Sequence, residues 1–274
     1  MMETAQTTPR SELWLCNYSS DDSETHCSHP SRSNDRHVSL IFNTLSKGLP
    51  TRLPNVTFLV NHLDEPRVLI PPRQSETRQN SSSQHFNMTD LSHQPTWDTF
   101  TKFCAPSSPS ETQPTTFPLP FVTNPTAAKD LCQHPEYRNM HGLFLSPASL
   151  PLIHSPIPIL STGSLSTSND ILFPSPAYME PEFQYEAAHD IPWTAKRTTL
   201  YCAGSTTGGH ASSDQWRHFH RQRFVALAQN LLGKKYTHTY LRNFNGVLER
   251  IHSAFLNTRL FDVAFTRVSQ CSRP

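Results

Sequence analysis

An α/β fold is predicted by three features of the chain. The β-branched and aromatic run Val56-Thr57-Phe58-Leu59-Val60 reads as a buried strand. Thr198 to Cys202 reads as another, and it leads into the glycine-rich turn Ala203 to Gly209. A helical pattern then runs from about Ser213 to Leu232, and Phe261 to Val268 supplies a further strand. Strand, glycine-rich turn, helix and strand in that order form the opening of a doubly wound α/β domain.

Taken in order, residues 1–33 are polar, Ser-rich and without periodicity, a composition that favours disorder. Asn34 or Asp35 then caps a helix carrying Val38, Ile41, Phe42 and Leu45 on one face, stopped by Gly48 and Pro50. The strand at 56–60 ends in Asn61-His62-Leu63-Asp64-Glu65-Pro66, and a short second strand covers Arg67 to Ile70. Residues 72–93 are Ser-, Gln- and Asn-rich and read as a surface loop. Short helices are expected around Trp97 to Cys104 and from Thr126 through Cys132 to the Pro135 region, and a short strand at Asp170 to Pro174. The long helix after the glycine-rich turn has Ser213 or Asp214 as its cap and Trp216, Phe219, Phe224, Leu227 and Leu231 on one face, with Gly233 at its end.

The 274 residues are enough for one large domain or two small ones. Hydrophobic residues make up 35% and charged residues 16%, with 24 prolines, a mixture expected of folded blocks joined by Pro-, Ser- and Thr-rich connectors. A net charge of +1 supplies no field for nucleic acid or an anionic membrane, which argues against both as main partners. The six cysteines show no paired CxxC spacing, so they indicate no zinc site, and they leave disulfide pairing open. Sequons stand at Asn17, Asn55, Asn80 and Asn87. No basic start followed by an apolar core occurs in the first 30 residues, and prolines break the apolar stretch from Leu143 to Leu160. Neither a signal peptide nor a transmembrane segment is therefore expected in this chain.

Chemistry points to two places. In the turn Gly204-Ser205-Thr206-Thr207-Gly208-Gly209, glycines let the backbone approach a phosphate, hydroxyls donate to its oxygens, and the following helix presents free amides. It lacks both the GK[ST] ending of a Walker loop and the GxGxxG spacing, and a plain strand-to-helix turn is the alternative. Asp64 lies just past a buried strand, where α/β sheets carry catalytic groups, and a carboxylate there can accept a proton from an attacking hydroxyl. Its alternative is an Asp capping a turn beside Pro66. Arg217, Arg221 and Arg223 cluster on the helix after the turn, with Arg221 and Arg223 favoured to reach a phosphate. His134 and His141 are too few and too scattered to argue for a metal, and no DxD pair is present. Trp193 either stacks on a ligand ring or is buried in a hinge.

The segments VTFLVNHLDEPRVLIPP, LCQHPEYRNMHGLFLSP, NDILFPSPAYMEPEFQYEAAHDIPW, LYCAGSTTGG, WRHFHRQRFVALAQ and LFDVAFTRVSQC resemble, in order, the capsule-associated glycosyltransferases of fungi, which are related to animal protein O-glucosyltransferases of the Rumi type. The likeness covers residues 55 to 271 with a gap at 72 to 96. It implies a GT-B-like architecture: a Rossmann-like acceptor-side domain at 34–195 and the first part of a Rossmann-like donor domain at 196–274. It also implies a UDP-xylose or UDP-glucose donor as substrate with no separate cofactor, inversion at the anomeric carbon, a glycan or protein acceptor, and residence in the secretory pathway. By resemblance Asp64 is the catalytic base, between matching Asn61 and Pro66. Gly204, Ser205 and Thr207 contact the donor diphosphate, and Arg221 or Arg223 is the nearest basic donor contact. Cys202 and Ala203 depart from the family pattern, where an aromatic and, in the animal branch, an arginine stand. Relatives continue well past the point matching Cys271, so the donor domain is expected to be incomplete here. Three readings follow: a glycosyltransferase fragment, a non-catalytic remnant that binds glycan or protein, and an unstable product of an interrupted reading frame with no function of its own.

Overall fold

A computed structural model describes residues 12–31, 36–69, 87–104, 124–154, 157–212, 214–231 and 237–271. Its first sheet has the order β2-β1-β3-β6-β7. Strands β1 (Leu13–Ser19), β2 (Glu24–Ser28) and β3 (Val56–Asn61) pair antiparallel, while β3, β6 (Ile159–Ser161) and β7 (Ile171–Leu172) run parallel. This is a mixed α/β sheet.

Within the segment 1–33, read as disordered, β1 and β2 correct that expectation over the described residues 13–28. The segment hides a strand alternation, with Trp14, Cys16 and Tyr18 buried at every second residue. Cys16 faces Cys27 in register and is bonded to it, and β3 pairs along the other edge of β1. Composition averaged over 33 residues cannot see a strand whose stability comes from a distant partner and a cross-link. A second disulfide joins Cys104 and Cys132, whereas Cys202 and Cys271 are free and exposed. The two bonds are compatible with a secreted protein. No helix among the described residues is long and apolar enough to cross a membrane.

Helix α1 (Arg36–Lys47) covers one sheet face and packs Val38 and Ile41 onto Trp14, Cys16, Val60 and Phe173. The other face holds Leu13, Leu59, Val68, Ile153 and Ile159. A third cluster (Trp97, Phe100, Phe144, Leu150 and Leu152 among others) forms beneath β4 (Met88–Asp90) and β5 (Pro151–Ile153), where α2 (Trp97–Thr101) and the short α3 (Pro125–Ala128) and α4 (Gly142–Leu145) are arranged. Strand β4 falls inside the segment read as a loop at 72–93, because its pairing partner β5 lies some 60 residues away. The expected strand at Arg67 to Ile70 is reduced to single bridges at Val68 and Leu69. The caps assigned to Asn34, Asp35 and Ser213 and the stop at Gly233 lie outside the described residues, as do the sequon at Asn80 and most of the 72–93 loop.

In the C-terminal part, β8 (Leu200–Ser205) and β11 (Phe261–Arg267) pair in parallel. The single helix expected from 213 to 232 is instead a 3-10 turn at Asp214–His218 and then α5 (His220–Ala228). Phe219 separates them with ψ 138°. Its ring is only 1% exposed and lies against Gly209, whereas Trp216, Leu227 and Leu231 are exposed. The buried face of α5 is thus Phe219, Gln222, Val225 and Ala228, with Val225 and Ala228 against Val263 of β11. Breaking the chain at Phe219 re-aims that face, which periodicity alone does not reveal. Strands β9 (His238–Phe244) and β10 (Val247–Ser253) form a hairpin that the sequence reading missed. Its signal was present in Asn245-Gly246, both at positive φ (50° and 83°), as a two-residue I′ turn requires.

Candidate functional site

Asp64 stands at the tip of a turn built by its neighbour Asn61. The buried Asn61 amide ends β3, accepts from the Leu63 amide (3.1 Å) and from Arg67 Nε (2.9 Å), and donates to the Glu65 carbonyl (2.7 Å). Three bonds from one side chain hold residues 61–67 in a fixed loop with Asp64 exposed at its end. From the other side, Gly163, just past β6, presses on the Asp64 carbonyl so closely that a Cβ there would collide with its oxygen.

Arg67 anchors the turn from below. It is 1% exposed and donates Nη1–H to the Pro151 carbonyl (2.8 Å), and burial drives its pKa down to about 10 against the opposing fields of Glu65, Glu12, Asp170 and Asp90. Asp170 receives the amides of Arg67 and Val68 and the hydroxyl of Ser161, which ties the turn to β6 and β7. Burial, with the Asp64 charge adding to it, raises the Glu65 carboxyl above its usual range.

The glycine-rich turn is placed by the β8–β11 pair. Thr206 is spent on structure: its amide donates to the Arg267 carbonyl (3.1 Å), while its hydroxyl donates to the Ser269 carbonyl and accepts the Ser269 amide (2.9 Å each). The hydroxyl expected to serve a phosphate is thus engaged within the protein. Gln222 Nε2 donates to the Thr206 carbonyl (3.2 Å), and the Gly208 amide donates to Gln270 Oε1 (2.9 Å). Ser205 and Thr207 share a hydroxyl bond of 2.9 Å, and Arg221 Nη1 donates to Thr207 Oγ1 (3.0 Å) and to the Ser205 carbonyl (3.3 Å). Gly208, at φ +112°, lies under the His220 ring and Arg221. Gly209 is buried between the Phe219 ring and Gly142.

These two regions line one cleft of about 320 Å³, whose walls include Asp64, His141, Thr207, Gly208, His220 and Arg221. Of the residues predicted from sequence, Asp64, Thr207, Gly208 and Arg221 are brought together. Gly204, Ser205, Thr206 and Gly209 frame the turn behind them. Arg223, two residues on from Arg221, falls on another side of α5 and is not among the lining residues. Arg217 pairs with Asp214 (3.7 Å) and lies over the Trp216 ring. His134 pairs with Glu136 at 2.7 Å, apart from His141. Trp193 is 83% exposed, which overturns its placement in a buried hinge.

His220 and Gly142 escaped the sequence reading. No local pattern links them: His141 and Gly142 meet the turn at 208–209 and His220 only after folding. His141 stacks flat on His220, with ring centroids 4.0 Å apart and planes 4° from parallel. Burial first, then His220 and Arg221, lowers the His141 pKa to about 4, and burial with Arg221 lowers that of His220. Both rings are therefore neutral at pH 7. The cleft thus sets an exposed carboxylate opposite a guanidinium, a hydroxyl and two neutral imidazoles. That set can take a proton on one wall and hold an anion on the other. The chain matches no family model, no curated protein and no solved structure.

Proposed function

We propose that this protein is an inverting glycosyltransferase of GT-B-like, two-domain architecture, transferring xylose or glucose from a UDP-sugar to a hydroxyl of a glycan or protein. The observation that carries the reading is the cleft itself. Residues picked from sequence more than 140 positions apart, Asp64 as base and Thr207, Gly208 and Arg221 as diphosphate contacts, line the same space. In the proposed reaction Asp64 takes the acceptor hydroxyl proton as its oxygen bonds to the anomeric carbon. The bond from that carbon to the diphosphate oxygen breaks, and UDP leaves with the electron pair. Arg221 and the Thr207 hydroxyl offset the growing negative charge on the leaving group. Attack from the face opposite the diphosphate inverts the anomeric configuration.

The test is turnover of UDP-xylose and UDP-glucose with simple glycoside and hydroxyl-peptide acceptors. Asp64→Asn is expected to lower the rate by roughly 10²- to 10⁴-fold, the range of a general base, while leaving UDP affinity unchanged. Transfer that survives Asp64→Asn undiminished would sink the assignment of the base. A second reading is favoured by one observation: the amides of Thr206 and Gly208 and the Thr206 hydroxyl are already bonded within the protein. On that reading the chain binds glycan or protein without transferring sugar. Tight acceptor binding with no detectable UDP binding would establish it in place of the first.

A further inference from the structure

Four histidines meet in two stacked pairs, of which one, His141 with His220, lines the cleft. His141, the residue before α4, stacks on His220, the first residue of α5, at 4.0 Å and 4°. His93, just beyond β4, stacks on His210, just beyond the glycine-rich turn, at 3.9 Å and 19°. Between the pairs the backbones touch. Gly142 lies against Gly208 and Gly209, and the His210 amide donates to the Ser146 carbonyl at 2.6 Å. Among the described residues, no carboxylate is within ion-pair distance of any of the four rings.

We propose that this double histidine stack is an acid-released clasp: the rings hold the glycine-rich turn and α5 against α4 while neutral, and proton uptake by facing rings opens the cleft.

Three features support it. Two flat aromatic rings at this spacing attract when uncharged, and two imidazolium ions so placed repel each other with no counter-ion to offset them. His141 Nδ1 also accepts the Leu143 amide (3.0 Å) and so caps α4, and a proton on that nitrogen abolishes the cap. His220 Nδ1 is buried with no hydrogen-bond partner, so a charge there is unsupported.

The direction follows from the shifts. Burial lowers the His141 pKa to about 4, and also lowers those of His220 and His210, the last with a contribution from His93. An open seam returns the rings to water, with an ordinary value near 6.5. Closure is therefore complete above pH 6.5 and weakens as pH falls from there toward 4. Arg221 on α5 opposes protonation of the first pair, Asp64 and Glu65 line the same cleft, and Asp90 lies near the start of the segment carrying His93. His141 alone shifts the balance toward the open form about twentyfold between pH 7 and pH 5.

The clasp does not depend on the activity proposed above, but its effect on nucleotide affinity rests on that reading. Amide exchange on the full chain, corrected for the intrinsic pH dependence of exchange, is followed in peptides covering residues 141–146 and 206–210. Protection there is expected to fall about twentyfold from pH 7 to pH 5 while the β1–β3 peptides hold. In the variant with His93, His141, His210 and His220 all changed to Phe, the pH effect is expected to shrink to less than about twofold. Equal pH dependence in both proteins overturns the proposal. Should the variant fold poorly, ring titration of the wild type by NMR decides the matter. A His141 ring titrating near 6.5 with unchanged exchange overturns the clasp, and one titrating near 4 while protection falls from pH 7 to pH 5 supports it. UDP is the ligand probe. Loss of UDP binding in step with opening supports both readings, whereas opening without any UDP binding at pH 7 keeps the clasp and removes the donor site.

Discussion

Replacing Gly142 by Ala tests whether the seam that forms the cleft exists as described. A Cβ on Gly142 would lie 2.6 Å from the Gly208 carbonyl carbon and 2.8 Å from Gly209 Cα, closer still to the Gly208 oxygen, where real Cβ contacts essentially never fall under 3.0 Å. The obstacles are backbone atoms, so no side chain can swing aside. Each is also pinned, Gly142 by its carbonyl bond to the Ser146 amide (2.8 Å) and Gly208 by Gln270 (2.9 Å). The two chains must part by roughly 1 Å, and overpacking of this kind costs about 1–3 kcal/mol. Loss of the His210–Ser146 bond adds about 1 kcal/mol. Gly204→Ala is the internal control. A Cβ there meets nothing within 4 Å, and Gly204 lacks a positive φ, so the change is expected to be neutral or to stabilise by up to about 1 kcal/mol. Urea denaturation at constant m-value measures both. The seam is refuted if the two variants agree within about 0.5 kcal/mol.

Arg221→Ala is expected to weaken UDP binding by about tenfold or more, the worth of a charge-assisted bond, while Arg223→Ala leaves it within twofold; calorimetry showing equal losses would contradict the placement of α5. Reduction tests the cross-links. With sequence separations of 11 and 28, opening Cys16–Cys27 is expected to cost about 3 kcal/mol and opening Cys104–Cys132 about 3.5 kcal/mol. The Cys16→Ala/Cys27→Ala pair, compared with wild type by denaturant titration, separates the first from the second. An unchanged midpoint would show that β1 and β2 do not depend on their bond.

Local signals reached as far as local forces decide the structure. The run Val56 to Val60, the stripe Val38, Ile41 and Phe42, and the strand–turn–helix order after Leu200 announced themselves, since strand and helix periodicity is written into neighbouring residues. Asp64 was legible for the same reason: it follows a strand end, with Asn61 placed to build its turn. The glycine-rich turn was legible as glycines and hydroxyls, but not how each hydroxyl is engaged. Thr206 looks identical to Thr207 in sequence, and only the approach of Ser269, 63 residues on, turns it away from the cleft that Thr207 lines.

By itself, then, the sequence determined an α/β chain, a carboxylate after a buried strand and a glycine-rich turn before a helix. The tertiary structure decided that these share a cleft, that Arg221 enters it and Arg223 does not, and that a polar N-terminal segment is sheet. It also set two histidine pairs across the seam. Each of these depends on contacts between residues far apart in the chain, whose stability comes from pairing, cross-linking and exclusion of water. No window of sequence contains both partners.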